Sequence, residues 1–213
     1  LDLSAYDGIL AFGASLAAVW QGFGWGRRAF VWHEAADLTV FAPPASPAPL
    51  RRGIVWVGNW GDDERGRELD EFLLAPAARA GLPLLVRGVR YPEVALRRMR
   101  LRGVRYGGWI ANADVPALFA RHLATVHVPR RHYVRLLPGI PTIRVFEALA
   151  AGIPLVSTGW RDEEELFATG FDFLEAADGD RVAAHLSAIA ADPDLAAALA
   201  ANGRRTIETR HTC

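Results

Sequence analysis

Lysine is absent from this chain, and cysteine and methionine occur once each. Without lysine no G-x-x-x-x-G-K-[ST] phosphate loop can be built, which removes the P-loop nucleotide hydrolases. All 24 basic side chains are therefore Arg, a residue suited to bidentate contacts with phosphate or carboxylate, although a biased genome produces the same usage. The one cysteine, Cys213, is the last residue, so no internal disulfide can form, and a reducing, cytoplasmic setting is expected. Net charge is lacking too. The formal value is +0 with a pI near 7.2, so no global positive field draws the chain to nucleic acid or anionic lipid, and any anion site has to be local.

Several motifs are missing as well. Gly58, Gly61 and Gly66 follow an apolar run but do not fit G-x-G-x-x-G, which disfavours nicotinamide and flavin chemistry. There is no His pair with zincin spacing, no G-x-S-x-G elbow and no cluster with metal-ligand spacing, so neither a metal nor another cofactor is expected. Residues 8–26 carry no charge, but their apolar part ends near Trp20, short of the roughly 20 residues a spanning helix needs; no transmembrane segment is expected. The first residue is Leu and no basic segment precedes an apolar one, which predicts an excised piece of a longer protein with no secretory signal.

What is present is an ordinary globular balance, 51% hydrophobic and 23% charged, over a length that buries one sizeable core. "DGILAF" reads as a strand, "SLAAVWQ" as a helix capped by Ser15, and "RRAFVWHEA" as a second strand. "FAPPASPAPLRR" is the best linker, because proline cannot feed a sheet ladder. It divides residues 1–45 from a domain at 46–213.

Beyond it, strand and helix patterns alternate: "GIVWVGN", "RELDEFLLAPAARAG", "LPLLVRGV", "YPEVALRRMRLR", "VRYGGWI", "DVPALFARHL", "ATVHVPR", a helix near 143, "IPLVST", "DEEELFATG", "FDFLEA" and a long C-terminal helical run. Continuous apolar strands between helices predict an α/β fold, a doubly wound parallel sheet with helices on both faces. Ligands in such folds bind outside the carboxyl ends of the strands, which directs attention to the loops starting at Asn59, Trp109, Arg130 and Thr158.

"PGIPTIRVFEALAAGIPLVSTG", residues 138–159, holds the densest chemistry. Pro141 suits a first helical turn, Gly139 permits close backbone approach, and the free N–H groups of a helix start attract an anion. Arg144 and Glu147 fall three apart on one side of that helix. The same spacing fits a simple surface ion pair, and spacing alone leaves both readings open. Arg65 and Arg67 follow the first strand of the domain, but Asp62, Asp63 and Glu64 beside them fit a solvated charge cluster. Trp109 fits the wall of a base pocket or ordinary rim packing. Asp162 to Glu165 suits the N-terminus of its own helix. His33 and Glu34 interrupt an apolar strand, for which a neutral hinge histidine is the simpler account.

"IPTIRVFEALAAGIPLVST" resembles the signature helix of the donor domain in GT-B glycosyltransferases, and most of all the CgeB-type spore maturation proteins and related group 1 enzymes. The likeness runs from about Arg51 to Arg210. It implies a Rossmann-like GT-B C-terminal domain that binds a nucleotide diphosphate sugar and passes a hexosyl group to an unidentified acceptor hydroxyl. Residues 1–45 would end the acceptor-side domain. Glu147 is implied to hydrogen-bond the ribose; Arg144, Arg130, Gly139, Thr142 and Arg67 complete the implied donor set. Catalytic groups stay unassigned, since the family draws them from earlier N-terminal segments. Many retaining members carry a second acid eight positions before the glutamate, where this chain has Gly139, so the stereochemical outcome is not implied. A non-enzymatic nucleotide-sugar or partner-binding module and a nucleotide-sugar epimerase of similar fold are the alternatives.

Overall fold

The computed structural model describes residues 2–44, 50–61 and 65–213. The expected division between residues 45 and 46 lies outside them, as do Asp62, Asp63 and Glu64. The chain opens with β1 (Ile9–Ala11), α1 (Ala14–Gly22) and β2 (Ala29–Val31), the two strands pairing in parallel as a separate small sheet. Both are shorter than their apolar runs suggest.

Six parallel strands form the main sheet: β3 (Ile54–Val57), β4 (Leu84–Arg87), β5 (Arg105–Tyr106), β6 (Ala124–His127), β7 (Leu155–Thr158) and β8 (Leu174–Ala176). Their order is β5-β4-β3-β6-β7-β8. The chain starts in the middle, winds out to one edge, returns to lay β6 beside β3 and winds out to the other. A crevice therefore opens between the loops that leave β3 and β6. Alternation along β3 explains the two layers. Ile54 and Trp56 face a core with Leu69, Leu73, Val182 and Leu186, while Val55 and Val57 face Phe119, Val145, Phe146 and Ile207. This is the doubly wound α/β fold that the sequence predicts.

The helices are α2 (Gly66–Leu69), running through a π-helical turn at Asp70–Leu74 into α3 (Ala75–Arg79), then α4 (Glu93–Leu101), α5 (Val115–Phe119), α6 (Arg131–Leu136), α7 (Ile143–Ala150), α8 (Gly179–Ala191) and α9 (Pro193–Arg210). The π turn has a local cause: Pro76 has no N–H to give the carbonyl of Phe72. α6 has no counterpart among the sequence expectations.

Three local expectations are corrected. "DEEELFATG" is not helical, because Arg161 and Glu165 both sit at φ 51°, which a right-handed helix does not admit. Asp162 instead accepts the backbone N–H groups of Leu166 and Phe167 at 2.9 and 2.8 Å, closing an irregular turn. Ser15 does not cap α1; the cap position is Gly13. The N–H of Ala14 is taken by Glu164 Oε1 at 2.9 Å, a cap supplied from 150 residues away. Finally, α7 begins two residues after Pro141, with Thr142 extended at the N-cap.

Candidate functional site

A cavity of about 510 Å³ occupies the crevice. Two glycines set its floor. Gly58 leaves β3 under the Trp56 ring, and Gly88, at φ 143°, packs so close to the Gly58 carbonyl that any Cβ there would collide with it. Tyr91 and Tyr106 donate their hydroxyls to the carbonyls of Gly58 and Gly88 at 2.9 and 2.8 Å, which fixes both loops. The rim carries Trp109, 68% exposed, whose carbonyl accepts from Arg87 at 2.6 Å.

Basic groups reach the cavity from three elements. Arg65 is buried, lies 5.7 Å from the centre of the Trp56 ring, and donates to the carbonyls of Asn59 and Val128 at 2.8 and 3.1 Å. It thereby ties the loop after β3 to the loop after β6. Arg130 lines the cavity at the N-cap of α6, and Arg144 lines it from the first turn of α7, next to Thr142. The helix start adds free N–H groups and the positive end of a dipole to this Arg cluster.

Glu147 is 5% exposed and sits behind that lining. Its carboxylate accepts from Asn112 Nδ2 at 3.2 Å and from Arg144, and Arg144 also donates to Asn112 Oδ1 at 3.0 Å. Burial raises the Glu147 pKa, while the Arg144 charge and the Asn112 bond oppose the rise. The pair is thus an i, i+3 contact, but one whose carboxylate is buried and which a third residue closes. Glu34, from the segment after β2, has a carboxyl pushed up to about 7 by burial and by the neighbouring Glu147 charge.

The remaining sequence candidates lie elsewhere. Gly139, at φ 85°, faces the side chains of Glu163 and Glu164 and does not line the cavity. Arg67 lines a separate concavity with Asp70, Asp178 and Asp180. Arg131 donates to Glu68 at 2.6 and 2.9 Å, and this bonding holds the Glu68 carboxyl below its ordinary pKa. His33 Nε2 lies 2.7 Å from Glu164 Oε2, binding the N-terminal segment to the loop after β7.

Asn112 and His127 also line the cavity, and neither is among the sequence candidates. Each left a signal: Asn112 closes the loop opened by Trp109, and His127 breaks the apolar run of β6. Among the described residues no group of three or more His, Cys, Asp or Glu is placed to hold a metal ion, and no single helix is long and apolar enough to cross a membrane.

A family model described as glycosyl transferase-like matches residues 65–213. No curated protein matches the chain in sequence. Among solved structures, sucrose-phosphate synthase from Thermosynechococcus elongatus is similar at 21% identity and a TM-score of 0.71, over 99% of this chain and 55% of that one. Anabaena HepE in complex with UDP-glucose is similar at 15% identity and a TM-score of 0.73, over 97% of this chain and 60% of that one. The C-terminal domain of a group 1 glycosyl transferase family protein (LpcC) from Francisella tularensis is similar at 14% identity and a TM-score of 0.64, over 83% of this chain and 98% of that one. The chain spans little more than half the length of the first two.

Proposed function

The chain belongs to the glycosyl transferase-like family, and from that premise we propose that it is the donor-binding half of a GT-B enzyme moving a hexosyl group from a nucleotide diphosphate to an acceptor hydroxyl. On this reading residues 46–213 hold the donor and residues 1–45 end the acceptor-side domain. The carrying observation is the convergence of Arg130, Thr142 and Arg144 with the start of α7 on one cavity at the point where the strand order reverses. Charge builds on the departing diphosphate as the glycosidic bond breaks. Fixed guanidinium groups and helix N–H groups stabilise that charge without reorganising.

Arg144 and Glu147 neutralise one another. A diphosphate competes for the guanidinium, and the carboxylate released from it can accept ribose hydroxyls, so both groups keep hydrogen-bond partners on binding. The Arg-x-Phe-Glu-Ala run at 144–148 and Gly139 in place of a second acid support the CgeB-like branch. Uridine is the base we favour, because HepE binds UDP-glucose and has the same fold. A cytoplasmic reaction suits a chain whose exposed Cys213 has no partner cysteine.

Isothermal titration with uridine, guanosine and adenosine diphosphates, followed by a transfer assay with the matching sugar nucleotides, tests the reading. The chain should bind one diphosphate, and should not turn over alone, since holding an acceptor in attack geometry contributes on the order of 7 to 11 kcal/mol and belongs to the other domain. Glu147→Ala should weaken binding by about 1 to 3 kcal/mol. No response to any diphosphate, or equal affinities for variant and parent, would sink the donor-site assignment.

A further inference from the structure

Asn112 is the member of the Arg144–Glu147 network that comes from outside α7. It opens a 3₁₀ turn, Asn112–Asp114, closed by the N–H of Asp114 on the Ala111 carbonyl at 3.0 Å. The turn runs directly into α5, whose Val115 and Phe119 pack in the same core as Val145 and Phe146 of α7. Position 112 is thereby held beside α7, yet it is exposed and lines the cavity. Its amide has one orientation. A guanidinium only donates and a carboxylate only accepts, so Oδ1 takes Arg144 at 3.0 Å and Nδ2 gives to Glu147 Oε1 at 3.2 Å.

Acceptor capacity is left over in this network. Oδ1 keeps a second lone pair after Arg144 has bonded, and the Glu147 carboxylate keeps others. A diphosphate offers them nothing, because its ionised oxygens are acceptors as well. Two neighbouring acceptors joined through Nδ2 fit two neighbouring hydroxyls. We infer that Asn112 reads the ribose diol of the nucleotide together with Glu147, Asn112 Oδ1 accepting one hydroxyl and the carboxylate the other. The inference rests on the donor-binding reading above. Arg144 stands in the first turn of α7 and Glu147 one turn further on, so a diphosphate drawn to the helix start brings its ribose to Asn112 and Glu147. As Arg144 turns to the phosphate, Nδ2 still holds the carboxylate, and the two acceptors stay side by side. A hydroxyl then replaces the guanidinium N–H that Oδ1 gives up. A sugar lacking either hydroxyl leaves one acceptor without a donor, which costs free energy in a partly buried site. Asn112 is thus a specificity-determining residue that selects ribonucleotides over deoxyribonucleotides.

The test titrates UDP and its 2′-deoxy and 3′-deoxy forms into the full chain and into Asn112→Ala, with thermal melts to identify a variant that fails to fold. The parent should lose about 3- to 10-fold in affinity for the analogue without the hydroxyl that faces the amide, and about 10- to 100-fold for the one without the hydroxyl that faces the carboxylate. Asn112→Ala should bind UDP about 3- to 10-fold more weakly than the parent and should no longer distinguish UDP from the first analogue. Equal losses for UDP and both analogues would mean that Asn112 only positions Arg144 and Glu147, and would overturn the inference. A folded Asn112→Ala that binds UDP as the parent does would overturn it too. So would a parent indifferent to both missing hydroxyls, a result that decides the matter even if the variant does not fold. Each of these outcomes leaves diphosphate binding intact. A parent that binds no diphosphate overturns the donor site as well.

Discussion

Glu34 and Glu147 are two carboxyls brought together from segments more than a hundred residues apart, and the Glu147 charge adds to burial in opposing ionisation of Glu34. Burial first, then the Glu147 charge, raise the Glu34 pKa from 4.5 to about 7. The folded chain therefore holds a proton that the unfolded chain releases near pH 4.5. The stabilisation this represents is fully present below that pH and is lost as pH rises through about 7. Glu34→Gln should remove the loss. Thermal melts of parent and variant should diverge between mildly acid and mildly alkaline buffer, with the variant more stable at the alkaline end by on the order of 1 kcal/mol once solvent screening of a partly exposed carboxyl is allowed for. Parallel melting curves across that range would show that Glu34 is ionised throughout.

At the scale of elements, the position of α7 is fixed from behind by α9. Gly203 faces α7 so closely that an added Cβ would lie 2.6 Å from Leu149 Cδ2 and 3.0 Å from the Asp172 carbonyl oxygen. The backbone oxygen cannot yield as a side chain can. Gly203→Ala should cost about 1 to 3 kcal/mol, read by chemical denaturation, even though alanine is the better helix former by roughly 1 kcal/mol. A neutral or stabilising outcome would mean that α9 can withdraw from α7. If α7 is the element that yields, Arg144 moves with it, so diphosphate affinity should fall along with stability.

At the scale of the whole molecule, the small β1–β2 sheet stands apart from the main sheet. Leu10 is 59% and Trp32 68% exposed, and neither strand pairs with the main sheet. It is held by a few attachments: Ile140 against Ala11, Leu16 and Ala17, the Glu164 contacts to Ala14 and His33, and the bond from the N–H of Ala36 to the His211 carbonyl at 2.9 Å. Hydrogen exchange should show the amides of β1 and β2 opening well before those of β3 (Ile54–Val57), and Glu164→Ala should widen the gap by roughly 1 kcal/mol in opening free energy, the usual worth of a helix cap. Equal protection in the two sheets would show that this segment is as firmly folded as the core.

The sequence by itself determined the architecture, because strand and helix follow from neighbours along the chain. Continuous apolar runs such as "IVWV" demand burial on both faces, and helices between them supply it. It also placed Arg144 and Glu147 on one helix side, since a spacing of three is fixed by helical pitch. Only the tertiary structure decided which groups meet at the cavity. Arg65 lines it and Arg67, two residues on, points to another concavity. Asn112 joins Arg144 and Glu147 across 32 and 35 residues, and Glu164 rather than Ser15 meets the start of α1. Those outcomes depend on strand register and loop closure, through which residues remote in sequence compete for the same hydrogen bonds, and no local pattern records which competitor wins.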